Sequence, residues 1–155
     1  MVTKGQGDIG LPTTVLVVED EVLIRWVIAD HLRDCGFRVI EAGSGDKAID
    51  VLRKTALTIN VVFSDVQMPG AVNGFALAQW VRQQRPTIKV VLTSGFSKAT
   101  EAAQALCSEV PMLSKPYSPR ELERRIELLL TDSGSETPPP ADANGVDKVA
   151  VRTAK

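Results

Sequence analysis

Three short, continuous apolar runs constrain the fold most: Val15-Leu16-Val17-Val18, Val61-Val62-Phe63 and Val90-Val91-Leu92. Each is too short for a helix and is bounded by polar or turn residues, the pattern of parallel strands buried on both faces. Two weaker segments, Arg38 to Ala42 and Pro111 to Ser114, read as the second and fifth of five strands. Helical patterns fill the gaps. From Glu21 to Cys35, the residues Leu23, Ile24, Val27, Ile28, Leu32 and Cys35 recur at helical spacing, and Gly36 follows as a left-handed cap. Further helices are expected over Gly45 to Lys54, Gly74 to Arg85, Lys98 to Leu106 and Pro119 to Leu130. The last has the clearest start, with Ser118 as N-cap, Pro119 at the first helical position and Glu121 three residues after the cap. Strict strand-helix alternation gives a βαβ series, and right-handed crossovers place helices on both faces of one parallel sheet, an α/β doubly wound architecture.

The chain has 155 residues, 44% hydrophobic and 24% charged, enough for one globular domain with a core. That domain is expected over 14–130, between a flexible N-terminal segment 1–13 and a Pro/Ser/Ala-containing tail 131–155 that cannot repay its ordering entropy. The tail is too short for an output domain, so the output is expected on another molecule. A formal net charge of -1 and the lack of a Lys/Arg-rich run argue against direct nucleic-acid or anionic-membrane partners. No segment has signal-peptide or membrane-span character, so a cytoplasmic location is expected. Cys35 and Cys107 stand far apart without CxxC or metal-ligand spacing and read as buried thiols of a reducing cytosol.

Ligands of an open parallel sheet collect beyond the carboxyl ends of its strands. Strand one ends there in Glu19-Asp20-Glu21, strand three in Asp65, strand four in Thr93-Ser94-Gly95 and strand five in Ser114-Lys115-Pro116. Packed carboxylates repel and take up protons unless a cation neutralises them. Hard oxygen donors with no His or Cys nearby point to Mg²⁺, or Mn²⁺, rather than Zn²⁺. Mg²⁺ also favours a phosphate oxygen. Lys115 can pair with a phosphoryl group, Thr93 can hydrogen-bond it, and Asp65 can attack phosphorus to give an acyl phosphate.

Four segments, Val15-Leu16-Val17-Val18-Glu19-Asp20-Glu21, Ser64-Asp65-Val66-Gln67-Met68-Pro69-Gly70, Val91-Leu92-Thr93-Ser94-Gly95 and Leu113-Ser114-Lys115-Pro116-Tyr117, together resemble the response regulator receiver family over about 14–130. The resemblance implies a flavodoxin-like (βα)5 fold. It implies that Asp65 is the phosphoacceptor of a two-component phosphorelay, served by a histidine kinase or phosphotransfer protein and signalling to a downstream protein through altered binding. Such a protein is not an enzyme beyond its own phosphorylation and dephosphorylation. By the same resemblance Glu19, Asp20, Asp65 and the Gln67 backbone carbonyl hold Mg²⁺, Thr93 and Lys115 sense the phosphoryl group, and the Lys115-Pro116 bond is cis. One position departs from the family pattern. Three residues before the lysine, where Tyr or Phe is usual, stands Met112, which leaves Phe96 and Tyr117, on two different loops, as substitutes for the aromatic switch. Gln67 and Gly95 occupy the positions that tune acyl-phosphate lifetime.

Other residues carry blander readings. His31, the only histidine, falls on the apolar arc of the first helix and reads as a packed side chain. Trp26 projects to the opposite, polar arc near Ala29, Asp30 and Arg33, as a surface aromatic or a partner contact. Trp80 reads as packing at a helix flank, and the Ala-rich helix 98–106 as a mobile or an ordinary rigid face. Arg120, Glu123, Arg124 and Glu127 are a solvated face or the reciprocal pairs of a homodimer. Two other functions compete: a phosphorylation-independent docking module on the same fold, and a Mg²⁺-dependent aspartyl phosphohydrolase, a different class that also pairs a strand-end Asp with a Lys and a hydroxyl. The latter usually carries Asp-x-Asp where this chain has Asp65-Val66-Gln67.

Overall fold

A computed structural model describes residues 12–94 and 111–132 of the chain. Within them run β1 (Thr14–Val18), α1 (Val22–Asp34), β2 (Arg38–Ala42), α2 (Gly45–Lys54), β3 (Val61–Asp65), α3 (Gly74–Gln84), β4 (Lys89–Ser94), β5 (Met112–Ser114) and α4 (Pro119–Asp132). The expected helix 98–106, together with Gly95, Phe96 and Cys107, lies outside the described residues, as do 1–11 and 133–155. The chain falls into two units, Met1–Arg124 and Arg125–Lys155, and the second is described only over the helical residues 125–132.

All five strands are parallel and lie in one sheet in the order β2-β1-β3-β4-β5, the flavodoxin-like arrangement. Alternate residues of a strand point to opposite faces. Leu16, Val18, Val62, Val90 and Leu92 therefore share one face, where they join Ala48 and Leu52 of α2 and Leu77, Ala78 and Val81 of α3 in the main core. Val15, Val17, Val61, Phe63 and Val91 turn to the other face and are equally buried. On that side, α1 supplies Ile28, Ala29 and Leu32. β1 and β3 are buried along their whole length, which is why their sequences do not alternate.

Local signals account for the helix ends. Gly36 takes a positive φ of 99° directly after α1, a conformation that glycine adopts without steric penalty. At α4, Glu121 N–H donates to Ser118 Oγ at 3.1 Å and Ser118 N–H donates to Glu121 Oε1 at 3.2 Å, a reciprocal capping box.

α1 departs from the expected phase. Leu23, Ile24 and Val27, read from the periodicity as core-facing, are 74%, 38% and 48% exposed, and Val22 and Trp26 are exposed beside them. Ala29, expected on the polar arc, is fully buried. The inward arc is Arg25, Ile28, Ala29 and Leu32. Arg25 turns inward because its Nη1 donates to the Glu19 carbonyl at 2.9 Å and its Nε to Glu41 Oε1 on β2 at 3.2 Å. Those polar anchors set the rotation of the helix, and the apolar residues of its first two turns are left outside. No helix among the described residues is long and apolar enough to cross a membrane.

Candidate functional site

The carboxyl edge of the sheet gathers the polar residues one strand at a time. Asp65 is the last residue of β3 and lies in register with Thr93 of β4, while Lys115 follows β5 and its N–H donates to the Ser94 carbonyl at 3.0 Å. Parallel pairing therefore brings Asp65, Thr93 and Lys115 together, although they are far apart in sequence. Glu19 and Asp20 follow β1, the strand on the other side of β3.

The Asp65 side chain is held at both oxygens. Lys115 Nζ donates to Oδ2 at 3.1 Å, and Gln67 N–H approaches Oδ1 at 3.4 Å. Its backbone is fixed as well, because Val66 N–H donates to the Thr93 carbonyl at 2.9 Å. The Lys115-Pro116 peptide is cis. Behind the strand end, α3 begins so close that a Cβ on Gly74 would lie 2.4 Å from the Asp65 carbonyl oxygen and 2.6 Å from Val66 Cα. Glycine is required there by the approach of two backbones.

Glu19 is only 2% exposed. Its Oε2 accepts the Glu21 N–H at 3.1 Å, whereas Oε1 is buried without a hydrogen-bond partner among the described residues. Burial is the main reason its carboxyl is pushed up to about 7; the nearby Asp65 and Asp20 charges add to the rise, and the Glu21 N–H and Lys115 oppose it. Oxygens of Glu19, Asp20 and Asp65 all lie within 4.8 Å of one another. Among the described residues, three carboxylates thus face one lysine, and one of their oxygens is buried with no donor to it. Such a donor set suits a hard divalent cation, since the donors are oxygens only and their charge exceeds what Lys115 neutralises.

Thr93 is fully buried, and among the described residues its Oγ1 has no partner at hydrogen-bond geometry. Among those residues, Tyr117 is an aromatic beside it. Its ring packs edge-on against Phe63, with centroids 6.0 Å apart and planes at 82°. Its phenol is raised well above the ordinary tyrosine value, first by burial and then by the charges of Glu19 and Asp65, with a looser contact to Thr93 opposing the rise. Tyr117, entered in the sequence as one of two loop aromatics, therefore points into the acidic pocket. Met112 is partly buried and packs against the main core instead.

The remaining candidates divide. Trp26 stands 57% exposed among Val22, Leu23 and Val27. Trp80 is half-buried at the flank of α3, with the guanidinium groups of Arg53 and Arg85 at 5.7 and 5.9 Å from its ring centre. Glu123, expected on a solvated or dimer-forming face, turns to His31, whose Nε2 lies 3.3 Å from its Oε1. His31 is thus a half-buried residue in a polar contact rather than a side chain packed among apolar ones. Arg25 and Gly74 were missed as site residues. The arginine inside an apolar helical arc and the glycine opening a helix were the available signals.

A family model described as response regulator receiver domain matches residues 15–127. Sensor kinase CckA of Brucella abortus is 31% identical over 124 residues, covering 79% of this chain and 13% of that protein. Transcriptional regulatory protein ResD of Bacillus subtilis is 29% identical over 118 residues, covering 76% of this chain and 48% of the relative. Apart from the much longer CckA, the chain spans about half the length of the curated relatives it matches. Among solved structures, a response regulator receiver protein from Sinorhizobium medicae superposes with a TM-score of 0.70 at 28% identity, over 77% of this chain and 95% of that one.

Proposed function

The chain belongs to the response regulator receiver family of two-component signalling, and on that premise we propose that Asp65 accepts a phosphoryl group from the phosphohistidine of a histidine kinase or phosphotransfer protein. The observation that carries this reading is the meeting of Asp65, Glu19 and Asp20 within 4.8 Å, with Lys115 Nζ 3.1 Å from Asp65. An Asp65 carboxylate oxygen forms the new bond to phosphorus while the bond from phosphorus to the donor imidazole nitrogen breaks, leaving an acyl phosphate. Glu19, Asp20, Asp65 and the Gln67 backbone carbonyl would hold Mg²⁺, or Mn²⁺, which supplies positive charge against the phosphoryl oxygens.

The chain's own residues divide the rest of the work. Lys115 exchanges its partner from the Asp65 carboxylate to a phosphoryl oxygen, as a charge that need not be bidentate. Thr93 offers a buried hydroxyl whose one described contact is the loose one to Tyr117. Once Thr93 is drawn to the phosphoryl group, we assign the registering of the change to Tyr117, in place of the aromatic that Met112 replaces; its loose contact with Thr93 supports this. The exposed apolar surface of Val22, Leu23, Trp26 and Val27 receives the donor helix. The downstream partner is a protein, selected by the phosphorylated state.

Incubation with Mg²⁺ and a small phosphodonor should give an acid-stable, alkali-labile adduct that is absent from Asp65→Ala. An adduct that persists in that variant would overturn the assignment. In Trp26→Ala, labelling by the small donor should be unchanged while transfer from a phosphorylated kinase slows; equal loss from both donors would remove α1 as the docking surface.

A further inference from the structure

We propose that His31, Cys35 and Glu123 form a second metal site, one for a borderline transition-metal ion of the Zn²⁺ class, separate in place and in ligand chemistry from the acidic pocket. His31 and Cys35 stand four residues apart at the C-terminal end of α1, a spacing that sets two side chains one turn apart on the same face. Glu123 comes from the second turn of α4. His31 Nε2 lies 3.3 Å from Glu123 Oε1 and 3.5 Å from Cys35 Sγ, and one ligand atom from each residue lies within 4.8 Å of the other two. With Zn–N and Zn–O bonds of about 2.0 to 2.1 Å and a Zn–S bond of about 2.3 Å, a tetrahedral centre requires N···O near about 3.3 Å and N···S near about 3.5 Å. The two measured separations already have the lengths of tetrahedron edges.

All three residues are partly exposed, so an ion can enter and a water can complete the fourth position, as in sites with three protein ligands. Imidazole, thiolate and carboxylate together favour Zn²⁺, Co²⁺ or Ni²⁺ over Mg²⁺, whereas the all-oxygen pocket at Asp65 has the opposite preference. On binding, the Cys35 thiol releases its proton to solvent and its sulfur donates to the ion. His31 donates through Nε2 with its ring proton on Nδ1, and Glu123 donates as the carboxylate. No electron is transferred, and the His31–Glu123 hydrogen bond is exchanged for two bonds to the metal. The ion would pin the end of α1 to α4.

The test uses the full 155-residue chain, freed of metals and then held in excess Mg²⁺ to occupy the acidic pocket. Titration with Co²⁺ should produce tetrahedral visible bands and a near-ultraviolet sulfur-to-cobalt charge-transfer band. Cys35→Ser should abolish the charge-transfer band and Cys107→Ser should keep it. Zn²⁺ should displace Co²⁺, and Glu123→Gln or His31→Gln should weaken Zn²⁺ by more than about tenfold, a loss that even an outer-sphere partner can cause. Because His31 is the only histidine, its ring protons give a single imidazole signal that Co²⁺ should shift strongly in the unmodified chain, a readout that survives if a variant misfolds. Absence of the charge-transfer band, its retention in Cys35→Ser, or an unmoved imidazole signal would overturn the site and leave a hydrogen-bonded His31–Glu123 pair. None of these outcomes depends on whether Asp65 is phosphorylated.

Discussion

Glu19 shows how one buried carboxyl can make stability depend on pH. Its pKa is raised from 4.5 to about 7, mainly by burial. Between those values the folded chain holds a proton that the unfolded chain has released, so stability falls as pH rises through the window and levels off above it. The slope is at most about 1.4 kcal/mol per pH unit for one proton. In the absence of divalent ions, urea midpoints should drop between pH 4.5 and about 7, and Glu19→Gln should flatten that part of the curve; an unchanged slope in the variant would assign the dependence elsewhere. At the neighbouring Tyr117, the only tyrosine in the chain, a fluoro-tyrosine signal should move when a beryllofluoride-type mimic is added and should stay still in Thr93→Ala. A response that is intact without the Thr93 hydroxyl would remove Tyr117 from the readout. That Asp65, Thr93, Lys115, Glu19 and Asp20 meet at one sheet edge was legible in the sequence, because each lies at or just past the end of a recognisable strand. The sequence could not place the Tyr117 ring, which depends on Phe63, a residue 54 positions earlier.

At the level of elements, the contact of α3 with β3 sets a limit on what the loop between them can accept. Gly74→Ala brings a methyl to 2.4 Å from the Asp65 carbonyl oxygen, and both atoms it would strike first are backbone. Helix propensity favours alanine by up to about 1 kcal/mol, whereas overpacking of this kind is unfavourable by about 1 to 3 kcal/mol. The clash should win, and the variant should unfold at lower urea and label more slowly with a small phosphodonor. A variant as stable and as quickly labelled as the parent would show that α3 can retreat without moving Asp65. The elements themselves were legible because burial on both faces leaves continuous apolar runs, and because Ser118, Pro119 and Glu121 mark a helix start by local chemistry. The rotation of α1 was not. Its apolar residues fill two adjoining arcs, and the choice between them rests on Arg25 reaching the Glu19 carbonyl and Glu41, contacts that periodicity does not encode.

For the whole chain, the proposed ion site at the sheet edge would couple folding to divalent ions. An ion that binds only the folded state stabilises it by an amount set by its concentration relative to its dissociation constant, about 2.7 kcal/mol at a hundredfold excess. Mg²⁺ should therefore raise the denaturation midpoint above pH 7 in a chelator-reversible way, and Asp20→Asn should blunt the rise. Equal Mg²⁺ stabilisation in that variant would place the ion elsewhere. The strand order has a separate consequence. The two edges of the sheet are β2 and β5, and an open edge invites another chain to add a strand. β2 carries Arg38 and Glu41, with Glu41 held by Arg25 and Arg33, while β5 is three residues long and flanked by Pro111 and Pro116. Charge on one side and brevity on the other make both edges poor templates for strand addition. Neither described edge is built to seed fibre-like growth, which leaves the helix surfaces as the faces free of that hazard.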